Sequence, residues 1–191
     1  MSPEAVRVRP AEGLDDVPGL AAGVTLRGSE RGGEDDFGLA TGGPAWRMAE
    51  RYVRLARSLG FPAVAVALQV HGAELAAAAD APARGLWIPG EADGFVGVAP
   101  GRLFVVTVAD CVPVYLVDPE ARAFALVHAG WRGAAAGILD RALDRLSGGR
   151  DRLPGALRMH LGPAICGDCY EVGPEVPRAF GREPSPDAGG R

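Results

Sequence analysis

Three residues of this 191-residue chain combine metal-ligating chemistry with a place at the end of an apolar run: His71, Cys111 and His128. Each is followed by glycine or by a break in the run: His71-Gly72, Cys111-Val112-Pro113 and His128-Ala129-Gly130. If these ends converge, two imidazoles and a thiolate form a donor set with one position open, the pattern of catalytic zinc. The same donors suit copper, and affinity alone favours copper over zinc. Two other readings stand beside this one. Cys111 can be a nucleophile activated by His128, or the residues can be core groups, a small buried hydrophobe and hydrogen-bonded imidazoles. His160 lies within a run without a motif around it and reads as structural. Cys166-Gly167-Asp168-Cys169 is a C-x-x-C, which suits a redox pair, half a zinc site or a structural turn.

The elements that must position these residues follow from periodicity. Pro44 opens a helix with Met48, Tyr52, Leu55 and Leu59 at helical spacing, closed by Gly60. Residues 62–72 alternate with period two, which predicts one strand carrying Gln69 and His71 on the same small-residue face. Residues 103–110 are an unbroken apolar run, expected as a central strand buried on both faces and ending at Asp110-Cys111. Residues 112–118 and 123–128 read as a hairpin across the turn Asp118-Pro119-Glu120-Ala121. Ala129-Gly130-Trp131-Arg132-Gly133 then leads into one helix with Ile138, Leu139, Ala142, Leu143 and Leu146 as its stripe, ended by Gly148-Gly149. Residues 156–161 are a further strand, residues 28–43 a Gly-rich acidic loop, and residues 73–83 are ambiguous. This order predicts an α/β fold, a single domain over residues 1–180 with a mixed β-sheet sandwiched with helices, and a disordered tail over 181–191.

Composition narrows the chemistry. The chain has no Lys and no Asn, and its only Gln is Gln69. That excludes a Schiff-base enzyme, a P-loop with its phosphate-binding lysine, and a Cys-His-Asn triad. No serine lies in G-x-S-x-G, and no G-x-G-x-x-G follows a strand. A net charge of −4 offers no basic excess for nucleic acid. Three cysteines are too few for a disulfide scaffold. No apolar h-region opens the chain and no stretch approaches a membrane span, so no membrane association and a cytoplasmic location are expected. Oligomeric state is not legible.

Six strings carry a resemblance. They are Gln69-Val70-His71-Gly72, Ala92-Asp93-Gly94, Thr107-Val108-Ala109-Asp110-Cys111-Val112-Pro113-Val114, His128-Ala129-Gly130-Trp131-Arg132-Gly133, Gly162-Pro163-Ala164-Ile165 and Tyr170-Glu171-Val172-Gly173. In this order they closely resemble the laccase-domain family, long described as multicopper polyphenol oxidases. The resemblance implies a single α/β domain whose metal, usually zinc, is held by His71, Cys111 and His128. It also implies phosphorolysis of purine nucleosides, with adenosine deamination and cleavage of methylthioadenosine. Some bacterial members are described instead as peptidoglycan-editing enzymes, and a distant likeness to deamidating toxins points to a Cys-His amidohydrolase. The family's C-terminal section is expected to be missing after Phe180, which leaves a truncated, non-catalytic remnant as a further reading. The family's S-L-N-L reads Phe37-Gly38-Leu39-Ala40 here.

The expected enzyme is a zinc-dependent purine nucleoside phosphorylase acting on a small-molecule nucleoside and phosphate. Arg27 and Arg132 would clamp phosphate, since bidentate arginine suits it and no lysine exists. Gln69 would contact substrate. Asp93 and Asp110 would orient a histidine or move a proton. Asp110 would point away from Cys111 in an unbroken strand, so it needs a kink to approach the metal. A true multicopper laccase fails on arithmetic, because three histidines cannot furnish both a trinuclear cluster and a blue-copper centre.

Overall fold

The computed structural model describes residues 6–26, 44–148 and 155–183. Arg27, the 28–43 loop and the tail from residue 184 onward lie outside them. Two sheets lie face to face, each backed by a helix. The smaller is parallel, in the order β5 (Gly85–Trp87), β3 (Ala63–Val66), β7 (Arg102–Val105). The larger is mixed, in the order β10 (Arg158–Leu161), β8 (Val112–Asp118), β9 (Ala123–Ala129), β6 (Gly94–Gly97), β4 (Ala76–Ala77). Its pairs are antiparallel except β4 with β6. The α/β class with a mixed, helix-flanked sheet is therefore present as expected.

Side-chain alternation builds the layers. Val64 and Val66 of β3 point at α1 (Ala45–Ser58), where Tyr52 and Ala56 cover them. Ala65 and Ala67 point the other way, and their small size leaves room for aromatics of the larger sheet. Phe95 of β6 lies there, with its ring centroid 5.1 Å from Phe104, which is 4.9 Å from Phe124 of β9. The opposite face of the larger sheet, with Val114, Leu116, Ala125 and Val127, packs on Ile138, Ala142 and Leu146 of α3 (Ile138–Ser147).

Several expectations are corrected. The 62–72 strand stops at Val66, because its alternation is large against small on a strand buried on both faces, rather than buried against exposed. Gln69 and His71 therefore lie in a loop. The 103–110 run is not the central strand: β7 ends at Val105, is half-buried throughout, and forms an edge of its sheet. The centre is β3. The single helix after residue 129 is two, α2 (Trp131–Ala135) and α3, separated by Gly137 at φ 79°, a left-handed conformation that suits glycine. The hairpin and its turn are as read: Asp118 Oδ1 accepts hydrogen bonds from the N–H groups of Glu120 and Ala121.

An N-terminal hairpin, β1 (Val8–Pro10) with β2 (Gly23–Thr25), gave no recognised signal in the sequence. Its connection buries Leu14 and Val17 against Val117, and the Tyr115 hydroxyl donates to the Gly23 carbonyl at 2.9 Å. His160 stands edge-on to the Tyr115 ring at 5.6 Å. A short α4 (Glu175–Ala179) ends the described chain. Among the described residues, no helix is long and apolar enough to cross a membrane.

The chain crosses from the smaller sheet to the larger three times: from β3 to β4, from β5 to β6, and from β7 to β8. Those crossings carry His71, Asp93 and Cys111 respectively. His128 lies near the end of β9, on the same face as Leu126 and Phe124.

Candidate metal centre

The three crossings meet around Asp93, which is completely buried. Its carboxylate accepts four hydrogen bonds. Oδ1 takes the His71 N–H and the His128 Nδ1–H, both at 2.9 Å. Oδ2 takes the N–H groups of Gly72 at 2.7 Å and Val70 at 3.3 Å. A carboxylate can only accept, so the Nδ1 of His128 must carry the proton, and its Nε2 keeps a lone pair free for a ligand. The main chain adds two bonds, from Asp93 N to Glu74 O and from His128 N to Asp93 O, each 2.8 Å.

His71 adopts φ 58°, an unusual conformation for a residue with a Cβ. Left-handed backbone costs such a residue about 1–2 kcal/mol. The three N–H bonds from Val70, His71 and Gly72 to Asp93 offset that cost and curl the loop. The result turns the imidazole toward Cys111, with Nδ1 4.0 Å from Sγ. His71, Cys111 and His128 then offer ligand atoms within 4.8 Å of one another. His71 is exposed, Cys111 half-buried and His128 buried, so the cluster opens to solvent on one side.

Tetrahedral zinc sets its ligand atoms about 3.5 Å apart, so the widest separation here, 4.8 Å, must close by about 1.3 Å to reach a bound geometry. The packing provides for it. A Cβ on Gly130 would come within 2.8 Å of His71 Nδ1 and 3.1 Å of Cys111 Sγ. A Cβ on Gly133 would meet the Gly72 carbonyl at 2.5 Å. Gly130 has an ordinary extended backbone, φ −76° and ψ 162°, so it is space that this position needs. Gly130→Ala is expected to spread the donors and lower metal affinity about 10- to 100-fold, measured by competition with a chromophoric chelator.

The thiol environment matters to the choice between ligand and nucleophile. Burial pushes the Cys111 thiol above its ordinary value, and the charges of Asp110 and Asp93 push it the same way. An activated nucleophilic cysteine needs the opposite. A divalent cation among these donors supplies the positive charge that holds the thiolate. The imidazole beside the thiol is that of His71, whereas Nδ1 of His128 is committed to Asp93.

The remaining candidates fall in different places. Both amide atoms of Gln69 bond Thr107: Nε2 donates to its carbonyl at 2.8 Å, and Oε1 accepts its N–H at 2.7 Å and its hydroxyl at 3.0 Å. The side chain thereby stitches the His71 crossing to the Cys111 crossing. The kink that Asp110 needed is present, since the chain leaves strand geometry after Val105 and bends at residues 109–111; Asp110 is exposed beside Cys111. Arg132 is exposed in the first turn of α2, its guanidinium stacked 4.3 Å from the Trp131 ring centroid. Arg27 lies outside the described residues. Thr107 and Gly130 have no role in the sequence reading, although both lie within the quoted strings. A small polar residue and a glycine announce neither a clamp nor a cradle until their neighbours are known.

The fold is found in other proteins. The family model described as multi-copper polyphenol oxidoreductase laccase matches residues 31–189. The chain belongs to this family. A Deinococcus radiodurans protein named purine nucleoside phosphorylase is 39% identical over 135 residues, covering 70% of this chain and 51% of that protein. A protein named adenosine deaminase, from an unknown prokaryotic organism, is 42% identical over 91 residues, covering 46% of this chain and 33% of its own length. The crystal structure of YlmD from Geobacillus stearothermophilus superposes with a TM-score of 0.70 at 29% identity, over 86% of this chain and 65% of that one. The chain thus spans about half the length of curated relatives it matches.

Proposed function

We propose that this chain is a zinc-dependent purine nucleoside phosphorylase, acting on adenosine, inosine and methylthioadenosine, with adenosine deamination as a second activity. The observation that carries the reading is the donor set His71, Cys111 and His128 gathered around buried Asp93. The names of the relatives supply the substrate class. Thiolate and imidazole fit zinc and also copper, and the family description points to copper, so metal analysis of the purified protein comes first. When bound, zinc supplies a Lewis acid that polarises a substrate oxygen.

The chain's own residues do the rest in this reading. Asp93 holds His128 in one tautomer and curls the His71 loop. Gln69, spent on Thr107, acts in positioning the two crossings rather than in touching substrate. Asp110, exposed beside Cys111, accepts or returns a proton at its carboxylate. Arg132 and Arg27 bind phosphate as bidentate cations. The raised thiol of Cys111 speaks against the metal-free Cys-His amidohydrolase.

The test is a nucleoside assay, with and without phosphate, on protein of known metal content. Release of free base with ribose 1-phosphate is expected, and Arg27→Ala should raise the phosphate requirement more than the nucleoside KM. Base release indifferent to phosphate would indicate hydrolysis. Absence of both cleavage and deamination in folded, metal-loaded protein would sink the reading.

A further inference from the structure

Two of the three cysteines play no part in the metal centre. Cys166 and Cys169 are free and exposed. The Cys169 N–H donates to the Cys166 carbonyl at 3.1 Å, so residues 166–169 form a β-turn. Such a turn brings its first and fourth Cα atoms within about 7 Å. A disulfide spans Cα atoms about 4.4–6.8 Å apart, so the turn already holds its cysteines near bonding range. The turn is anchored at its entrance, where the Ile165 N–H donates to the Asp110 carbonyl at 3.1 Å. That bond ties it to the crossing that carries Cys111.

The two thiols are unequal. The Cys166 sulfur accepts from the Cys169 thiol and from the backbone N–H groups of Cys169 and Asp168, which holds it below its ordinary value. The same contact holds the Cys169 thiol above its own. An exposed sulfur surrounded by donors, three residues before a second thiol, is the arrangement of an attacking cysteine and its resolving partner.

We propose that Cys166 and Cys169 form a thiol–disulfide exchange site that takes external disulfides, small or proteinaceous. The Cys166 thiolate attacks one sulfur of the external disulfide. Its S–S bond breaks, a mixed disulfide forms, and one thiolate leaves. Cys169 gives its proton to water and attacks the Cys166 sulfur, closing the ring and expelling the second thiolate. Two electrons pass from the cysteine pair to the external disulfide, which departs as two thiols.

The experiment exposes the full chain to oxidised glutathione, quenches by alkylation, and maps the tryptic peptides 103–122 and 159–178 by mass spectrometry. The expected result is loss of two hydrogens in the 159–178 peptide while Cys111 stays reduced. Cys169→Ser should accumulate a glutathione adduct on Cys166, and Cys166→Ser should react about tenfold more slowly at Cys169. Equal rates in the two variants would overturn the proposal. So would a persistent mixed disulfide without ring closure, first reaction at Cys111, or thiols shielded by a bound metal. Both cysteines are exposed, so circular dichroism of the serine variants should match the parent. The readout uses neither nucleoside nor loaded metal, so it stands or falls apart from the phosphorylase reading.

Discussion

Asp93→Asn is expected to unfold the centre as well as empty it. Each carboxylate oxygen serves two donors, so whichever is replaced by an NH2 group leaves two N–H groups facing another donor. The Asp93 side chain is fully buried, and water cannot repair the loss at its carboxylate. Breaking a buried, charged hydrogen-bond network by altering one partner costs about 3–5 kcal/mol. The midpoint of a urea titration should fall accordingly, with little change in slope. Metal affinity should fall with it, because the His71 loop and the His128 tautomer depend on the same four bonds. An unfolding free energy within about 0.5 kcal/mol of the parent would show that Asp93 is not the organising group.

Removing a donor tests the centre directly. Cys111→Ala and His128→Ala should each weaken metal binding about a hundred- to a thousandfold, since a three-donor site loses a third of its ligands. Full occupancy in Cys111→Ala would remove that residue from the ligand set. Replacing both Cys166 and Cys169 by Ser should leave the metal in place. Binding should also depend on pH in a definite direction. The Cys111 thiol is held above its ordinary value, so it is protonated at neutral pH and must release its proton to bind. Apparent affinity should therefore rise about tenfold from pH 7 to pH 8, per proton released. Oxidation of phenols should remain negligible with any metal bound, because three histidines cannot build the copper cluster that reduces oxygen.

Much of the larger sheet was legible from local pattern. The hairpin β8–β9 and the helix α1 follow their apolar periods and their turn residues to within a residue or two. The smaller sheet was misread because a strand buried on both faces has no inside-out alternation to display. Val64 and Val66 differ from Ala65 and Ala67 in which layer they meet, not in exposure. The N-terminal hairpin was missed because Val8–Pro10 and Gly23–Thr25 are too short to show a period. At the centre, residue type together with a place at the end of an apolar run singled out His71, Cys111 and His128. Asp93 was visible as a carboxylate within a motif. Its four simultaneous bonds depend on three chain crossings meeting, which no local pattern encodes.

Those crossings also set the order in which the molecule can assemble. His71, Asp93 and Cys111 come from three successive passes between the sheets, and His128 from a fourth segment. No pair of them is joined by a local turn: the His128 contacts with Asp93 wait on the long-range pairing of β6 with β9, and those of His71 on the crossing that enters the larger sheet at β4. Helix α1 and the β8–β9 hairpin, built from near neighbours in sequence, can form early. The centre is thus among the last parts of the protein to fold, with little share in the transition state. Damage at Asp93 should hasten unfolding while leaving the rate of folding almost untouched.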